Sequence, residues 1–226
     1  MQPKAKLYRL RATSSEVLFE SRSCLFILAV NWLAQGVRGM DAKELSFRLL
    51  FAGVLTGVAG WLLRAASGAD PLTALACGLL VVHTLNFLVN GQFWVCLRYC
   101  PMYRRDPGTL ARDLDALLDD VARRAWLVEA VMLGSTVTRR GRPGARADID
   151  LRLIFPAGPG GWLKTNLLLL ELRARAFFHR LPLEVYAYEH PATLRRFDQT
   201  EPLGILLDRQ ARLRRGFANR ELVWLR

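Results

Sequence analysis

Val131-Met132-Leu133-Gly134-Ser135 and, after a basic loop, Ala147-Asp148-Ile149-Asp150-Leu151-Arg152-Leu153-Ile154-Phe155 decide how this chain reads. The first stretch is an apolar strand ending in a Gly-Ser turn. The second is another strand, with Asp148 and Asp150 two residues apart. Strand side chains alternate faces, so both carboxylates project on one side. Two neighbouring acids repel each other, and a cation belongs between them. A hard divalent ion with oxygen ligands, Mg²⁺ or Mn²⁺, is the natural occupant. The Gly-Ser turn leaves backbone N–H groups to face a phosphate, and Gly134 allows that phosphate to come close.

An apolar residue, Gly-Ser, a loop of about ten residues and then Asp-apolar-Asp-apolar is a pattern that resembles the DNA polymerase β-like nucleotidyltransferases, in their minimal form. Here the parts are Leu133, Gly134-Ser135, the loop Thr136 to Ala147, and Asp148-Ile149-Asp150-Leu151. The resemblance implies a third acid on a neighbouring strand beyond a helix. Leu183-Glu184-Val185-Tyr186-Ala187-Tyr188 fits, with Glu184 as that acid. It covers roughly Trp126 to Asp208. It departs from the family at Ala147, where a small polar residue is common, and at Glu184, where Asp is commoner. No large helical domain follows to grip a base or an acceptor. What the resemblance implies is an NMP group moved from a nucleoside triphosphate to a hydroxyl. Asp148, Asp150 and Glu184 would be the catalytic residues and metal ligands, and Gly134, Ser135 and Arg140 would contact the nucleotide. Arg139, Arg142 and Arg146 lie in the same loop, where a solvated basic loop near lipid head groups is the other reading.

The chain has 226 residues and a formal net charge of +12. With a pI near 10.4 this balance suggests nucleic acid, but a mean hydropathy of +0.14 points elsewhere. Much of the basic charge flanks apolar runs, as membrane insertion produces. Neither a duplex-binding domain nor an aromatic stacking platform is evident, which disfavours a nucleic-acid enzyme. Cys24, Cys77, Cys96 and Cys100 show no zinc-type spacing and read as reduced apolar fillers. His83, His179 and His190 are too scattered for a transition-metal site.

Residues 1–43 read as a basic N-terminal segment, cytoplasmic or interfacial, whose apolar run Cys24 to Val37 is too short to span. Residues 44–98 read as a transmembrane hairpin. Leu45 to Leu63 holds one charge, Arg48, near its start, with Arg64 just beyond its end. Gly53 and Gly57 have the spacing that lets helices approach closely. After a turn closed by Pro71, Leu72 to Leu97 is a second long apolar stretch. Positive residues crowd both outer ends, so both ends are expected in the cytoplasm, at the inner (plasma) membrane. His83, Asn86 and Asn90 share one helical face, with Gln92 nearby. That face is expected to meet a membrane protein partner, a second copy or a lipid-linked substrate, or else the first span. Residues 109–226 then form the catalytic domain with a basic tail that lies against the membrane or a partner.

The expected fold is therefore α+β, a small mixed-sheet nucleotidyltransferase domain preceded by a two-helix transmembrane hairpin. The competing expectation is a catalytically inactive nucleotide-binding module that scaffolds or regulates a membrane protein.

Overall fold

The computed structural model describes residues 8–11, 18–21, 23–35, 37–90, 92–100, 103–138, 143–144 and 147–225. A short antiparallel pair, β1 (Tyr8–Arg11) and β2 (Leu18–Ser21), precedes helix α1 (Cys24–Ala34). Two long helices follow, α2 (Ala42–Ser67) and α3 (Pro71–Val89). The Asp41 and Asp70 carboxylates cap their N-termini, and Gly68 ends α2 in the left-handed region at φ 67°. Those signals are legible in sequence: an acid before each apolar run, Pro at the first turn, Gly after the last.

Both α2 and α3 are long enough and apolar enough to cross a bilayer. Their outer faces are bare: Leu72 is 77% and Trp61 67% exposed. They cross where Gly60 meets Gly78, and a Cβ on Gly78 would stand 2.7 Å from the Gly60 backbone nitrogen. Gly53 and Gly57, the pair singled out by spacing, have nothing of the described chain within 4 Å of an added Cβ. The expected second apolar stretch is not one helix. Asn90 ends α3, and a short helix α4 (Gln92–Leu97) continues towards the globular domain.

The polar face of α3 is met by α1. His83 Nε2 lies 2.9 Å from Trp32 O, Gln35 Nε2 donates to His83 O, and Asn86 Nδ2 donates to Gln35 Oε1. Asn90 Nδ2 donates in turn to Asn86 Oδ1. The cysteine expectation is half corrected: Cys24 and Cys100 form a disulfide, while Cys77 and Cys96 are free. Folding brings the start of α1 beside the chain just after α4, which spacing alone does not reveal.

The globular domain opens with α5 (Pro107–Arg123), whose Leu110, Leu114, Leu117, Leu118 and Val121 are buried. Then come β3 (Glu129–Leu133), the one-turn helix α6 (Ser135–Thr138), β4 (Ile149–Ile154), α7 (Gly158–Phe178) and β5 (Leu183–Tyr188). A 3₁₀ turn (Pro191–Arg196), β6 (Leu203–Asp208), α8 (Arg212–Gly216) and β7 (Leu222–Trp224) complete it. The mixed sheet has the order β5-β4-β3-β6-β7. One face packs on α5 and α7, and the other carries Val131, Ile154, Tyr186 and Ile205 under Leu194, Leu213 and Phe217. The tail adds β7 to the sheet, parallel to β6, with Trp224 exposed.

Helix α2 docks on the free edge of the sheet. Ala187 N donates to Glu44 Oε2 of α2 at 3.1 Å, and Val185 O accepts from Arg173 of α7 at 2.5 Å. Glu44 and Arg173 pair at 2.5 Å, both side chains almost fully buried. An edge strand otherwise offers unpaired polar groups. Here an ion pair between two helices satisfies them.

Candidate active site at one end of the sheet

The site is built where β3 ends and β4 and β5 begin. β4 runs antiparallel to β3 and parallel to β5, with Leu133 opposite Asp150 and Asp150 opposite Glu184. Two carboxylates therefore stand side by side on adjacent strands, on the same face. Asp148 sits just before β4, in phase with Asp150. The structure thus brings Asp148, Asp150 and Glu184 to one sheet end beside the Gly134-Ser135 turn. Gly134 has φ +80°, and a Cβ there would meet Asp150 Oδ2 at 3.2 Å. The left-handed conformation favours glycine, and an added Cβ would press on the Asp150 carboxylate. Thr136 Oγ1 donates to Asp148 O at 3.1 Å, tying the helical turn after Ser135 to the acids. Arg140, with Arg139, Arg142 and Arg146, lies outside the described residues.

Two arginines complete the cluster. Arg98, just after α4, places Nη1 2.5 Å from Asp148 Oδ2. Arg152, two residues beyond Asp150 and on the same face, lies 3.7 Å from Asp150 Oδ1 and 3.4 Å from Glu184 Oε1. It also donates to Glu184 O at 2.7 Å and lies over the Tyr186 and Phe197 rings. Arg152 was legible by phase, since β4 puts Asp148, Asp150 and Arg152 on one face. Arg98 carried no local signal, because its partner lies fifty residues away.

Burial, first, and the neighbouring Glu184 charge, second, push the Asp150 carboxyl up to about 7, against the pull of Arg152. Desolvation and a like charge both disfavour the ionised form. Asp150 therefore titrates near neutral pH. Nearby, Tyr186 rises through burial and the same Glu184 charge. Desolvation works against the Arg98 and Arg152 guanidiniums, yet the pull of Asp148 and Asp150 keeps both raised and charged.

Carboxylate oxygens alone are the donor chemistry that a hard divalent cation takes. With both guanidiniums in place and Asp150 titrating near neutral pH, the acids keep little net charge to draw such a cation. Among the described residues no three His, Cys, Asp or Glu side chains are gathered closely enough to hold a metal ion. Comparison with family models, curated proteins and solved structures finds no match to this chain.

Proposed function

We propose that this chain is a membrane-anchored nucleotidyltransferase that moves an NMP group from a nucleoside triphosphate to a hydroxyl acceptor. The observation that carries the reading is the in-register pair Asp150 and Glu184, joined by Asp148, beside the left-handed Gly134 turn. In this reading the backbone N–H groups of the turn orient the phosphates, whose approach a side chain at position 134 would block. The acceptor oxygen attacks the α-phosphorus, the bond to the β-phosphate oxygen breaks, and pyrophosphate leaves. The hydroxyl proton passes to a carboxylate of the cluster, with Glu184 as base or third metal ligand. Asp148, Asp150 and Glu184 are the residues that would hold Mg²⁺ or Mn²⁺. When bound, that ion supplies neutralisation of phosphate charge.

Incubation of detergent-purified protein with Mg²⁺ and α-labelled nucleotides tests this. Labelled product is expected, and its loss in both Asp148→Ala and Asp150→Ala. Turnover that survives both substitutions sinks the proposal.

A second reading draws on Arg98 and Arg152, which occupy the carboxylates as a cation would. Under it the domain binds nucleotide without turnover and regulates a membrane protein. Thermal stabilisation by nucleotide with no product would favour it.

The anchor reading places α2 and α3 in the inner membrane with the acids on the cytoplasmic side, supported by the basic residues at both outer ends. The Cys24–Cys100 bridge lies on the acids' side of the hairpin, and a reducing cytoplasm opposes such a bond. Acid-quenched thiol trapping in cells is expected to find this pair largely reduced.

A further inference from the structure

The sheet end that holds the acids also holds a second, separate feature. Met132 lies opposite Gly204 and Leu203 opposite Leu222, so β6 and β7 begin at the end where β3 finishes. There a cleft of about 440 Å³ opens between the 3₁₀ turn, α8 and the start of β7. Its lining includes Arg195, Gln199, Arg215, Phe217, Asn219 and Arg220, and no carboxylate. Arg220 is only 7% exposed. Its Nε donates to Glu201 O at 2.7 Å, while its Nη1 is buried with no hydrogen-bond partner among the described residues. A buried guanidinium N–H without an acceptor is costly, and charged groups more so than neutral ones. Glu201 and Asp198 flank Arg220 but oppose its desolvation only in part. Three guanidiniums around one concavity match a dianion, and planar forks suit phosphate oxygens.

We propose that this cleft binds the phosphate of a small phosphorylated molecule, with Arg220 as the buried anchor and Arg195 and Arg215 at the mouth. The room exceeds what inorganic phosphate fills, and Phe217 offers an apolar wall for the rest of the ligand. The ligand is taken as a free compound; a lipid head group is the other source of this phosphate chemistry, since Arg196 beside Arg195 reaches Gly39 O just before α2. This inference does not rest on nucleotidyl transfer, since it uses none of the three acids.

The test is calorimetric titration of the full chain in detergent with phenyl phosphate, and with inorganic phosphate as the minimal probe. Wild type is expected to bind phenyl phosphate saturably, and Arg195→Glu and Arg220→Gln to weaken it about tenfold or more. Arg195 is exposed, so Arg195→Glu reports on the cleft even where Arg220→Gln misfolds. Absence of saturable binding overturns the proposal. So does binding that both arginine variants keep. Competition by phosphatidylglycerol vesicles, lost in Arg195→Glu, would give the cleft to head groups and overturn the free ligand.

Discussion

Asp150 and Arg98 set the chemistry of the cluster at the level of single side chains. An unfolded aspartate titrates near 3.9, about three units below the value near 7 that burial and Glu184 give Asp150 in the fold. The folded state therefore binds more protons than the unfolded chain between those values, and this group's contribution to stability falls as pH rises through that window. With metal chelated, Asp150→Asn is expected to stabilise the protein more at pH 8 than at pH 5, by about 2–3 kcal/mol. Thermal melts at the two pH values check it, and an equal shift at both would refute the assignment. Arg98 makes the second prediction. Its guanidinium pairs with Asp148 at 2.5 Å, so Arg98→Gln removes a positive charge that competes with a cation for the acid cluster. Mn²⁺ affinity, read by thermal shift or electron paramagnetic resonance, is expected to rise about tenfold over wild type. An unchanged affinity means the acids do not form the cation site.

Among the elements, α2 matters most, because it serves both the long-helix pair and the sheet. Its Glu44 pairs with Arg173 and accepts from the Ala187 N–H, closing the edge of β5. Removing one member of a buried pair leaves the other charge uncompensated, at a cost of about 3–5 kcal/mol. Glu44→Ala is therefore expected to lower the melting temperature sharply and to expose the β5 edge to protease. A variant that melts like wild type would show the pair to be dispensable. Further support comes from Trp162 Nε1, which donates to Lys43 O at 2.8 Å, and from Lys43, which pairs with Glu189 at 2.7 Å. Trp94 Nε1 of α4 donates to Phe177 O at the far end of α7. Contacts at both ends of α7 hold the apolar helices and the sheet in one arrangement. That arrangement carries Arg98 to the acids.

Across the whole molecule, two helices with apolar outer faces rise from one edge of a basic domain. If they span a bilayer, the Gly68 turn and the domain lie on opposite sides. A cysteine at Gly68 is expected to react with a membrane-impermeant maleimide in intact cells, and one at Asn219 only after lysis. Labelling of both in intact cells would reverse or abolish the proposed orientation. Exposure decides this more than length does. A soluble helix of this hydropathy would be buried, yet only 11% of the most apolar window of α2 and 22% of that of α3 are buried within the chain.

The strand pattern around Asp148 and Asp150, the capping acids before each long helix and the apolar stripe of α5 are local signals, and the sequence alone determined them. Alternation, capping chemistry and helical period act over a few residues, so they survive in one dimension. The strand of Glu184 was legible too, but its register against Asp150 belongs to the sheet. Tertiary structure decided the rest. It drew Arg98 onto Asp148, joined Cys24 to Cys100, crossed the helices at Gly60 and Gly78, and turned the α3 polar face towards α1. Each of these pairs residues far apart in the chain. Such pairings depend on which surfaces bury against each other, and no short window of sequence records that choice.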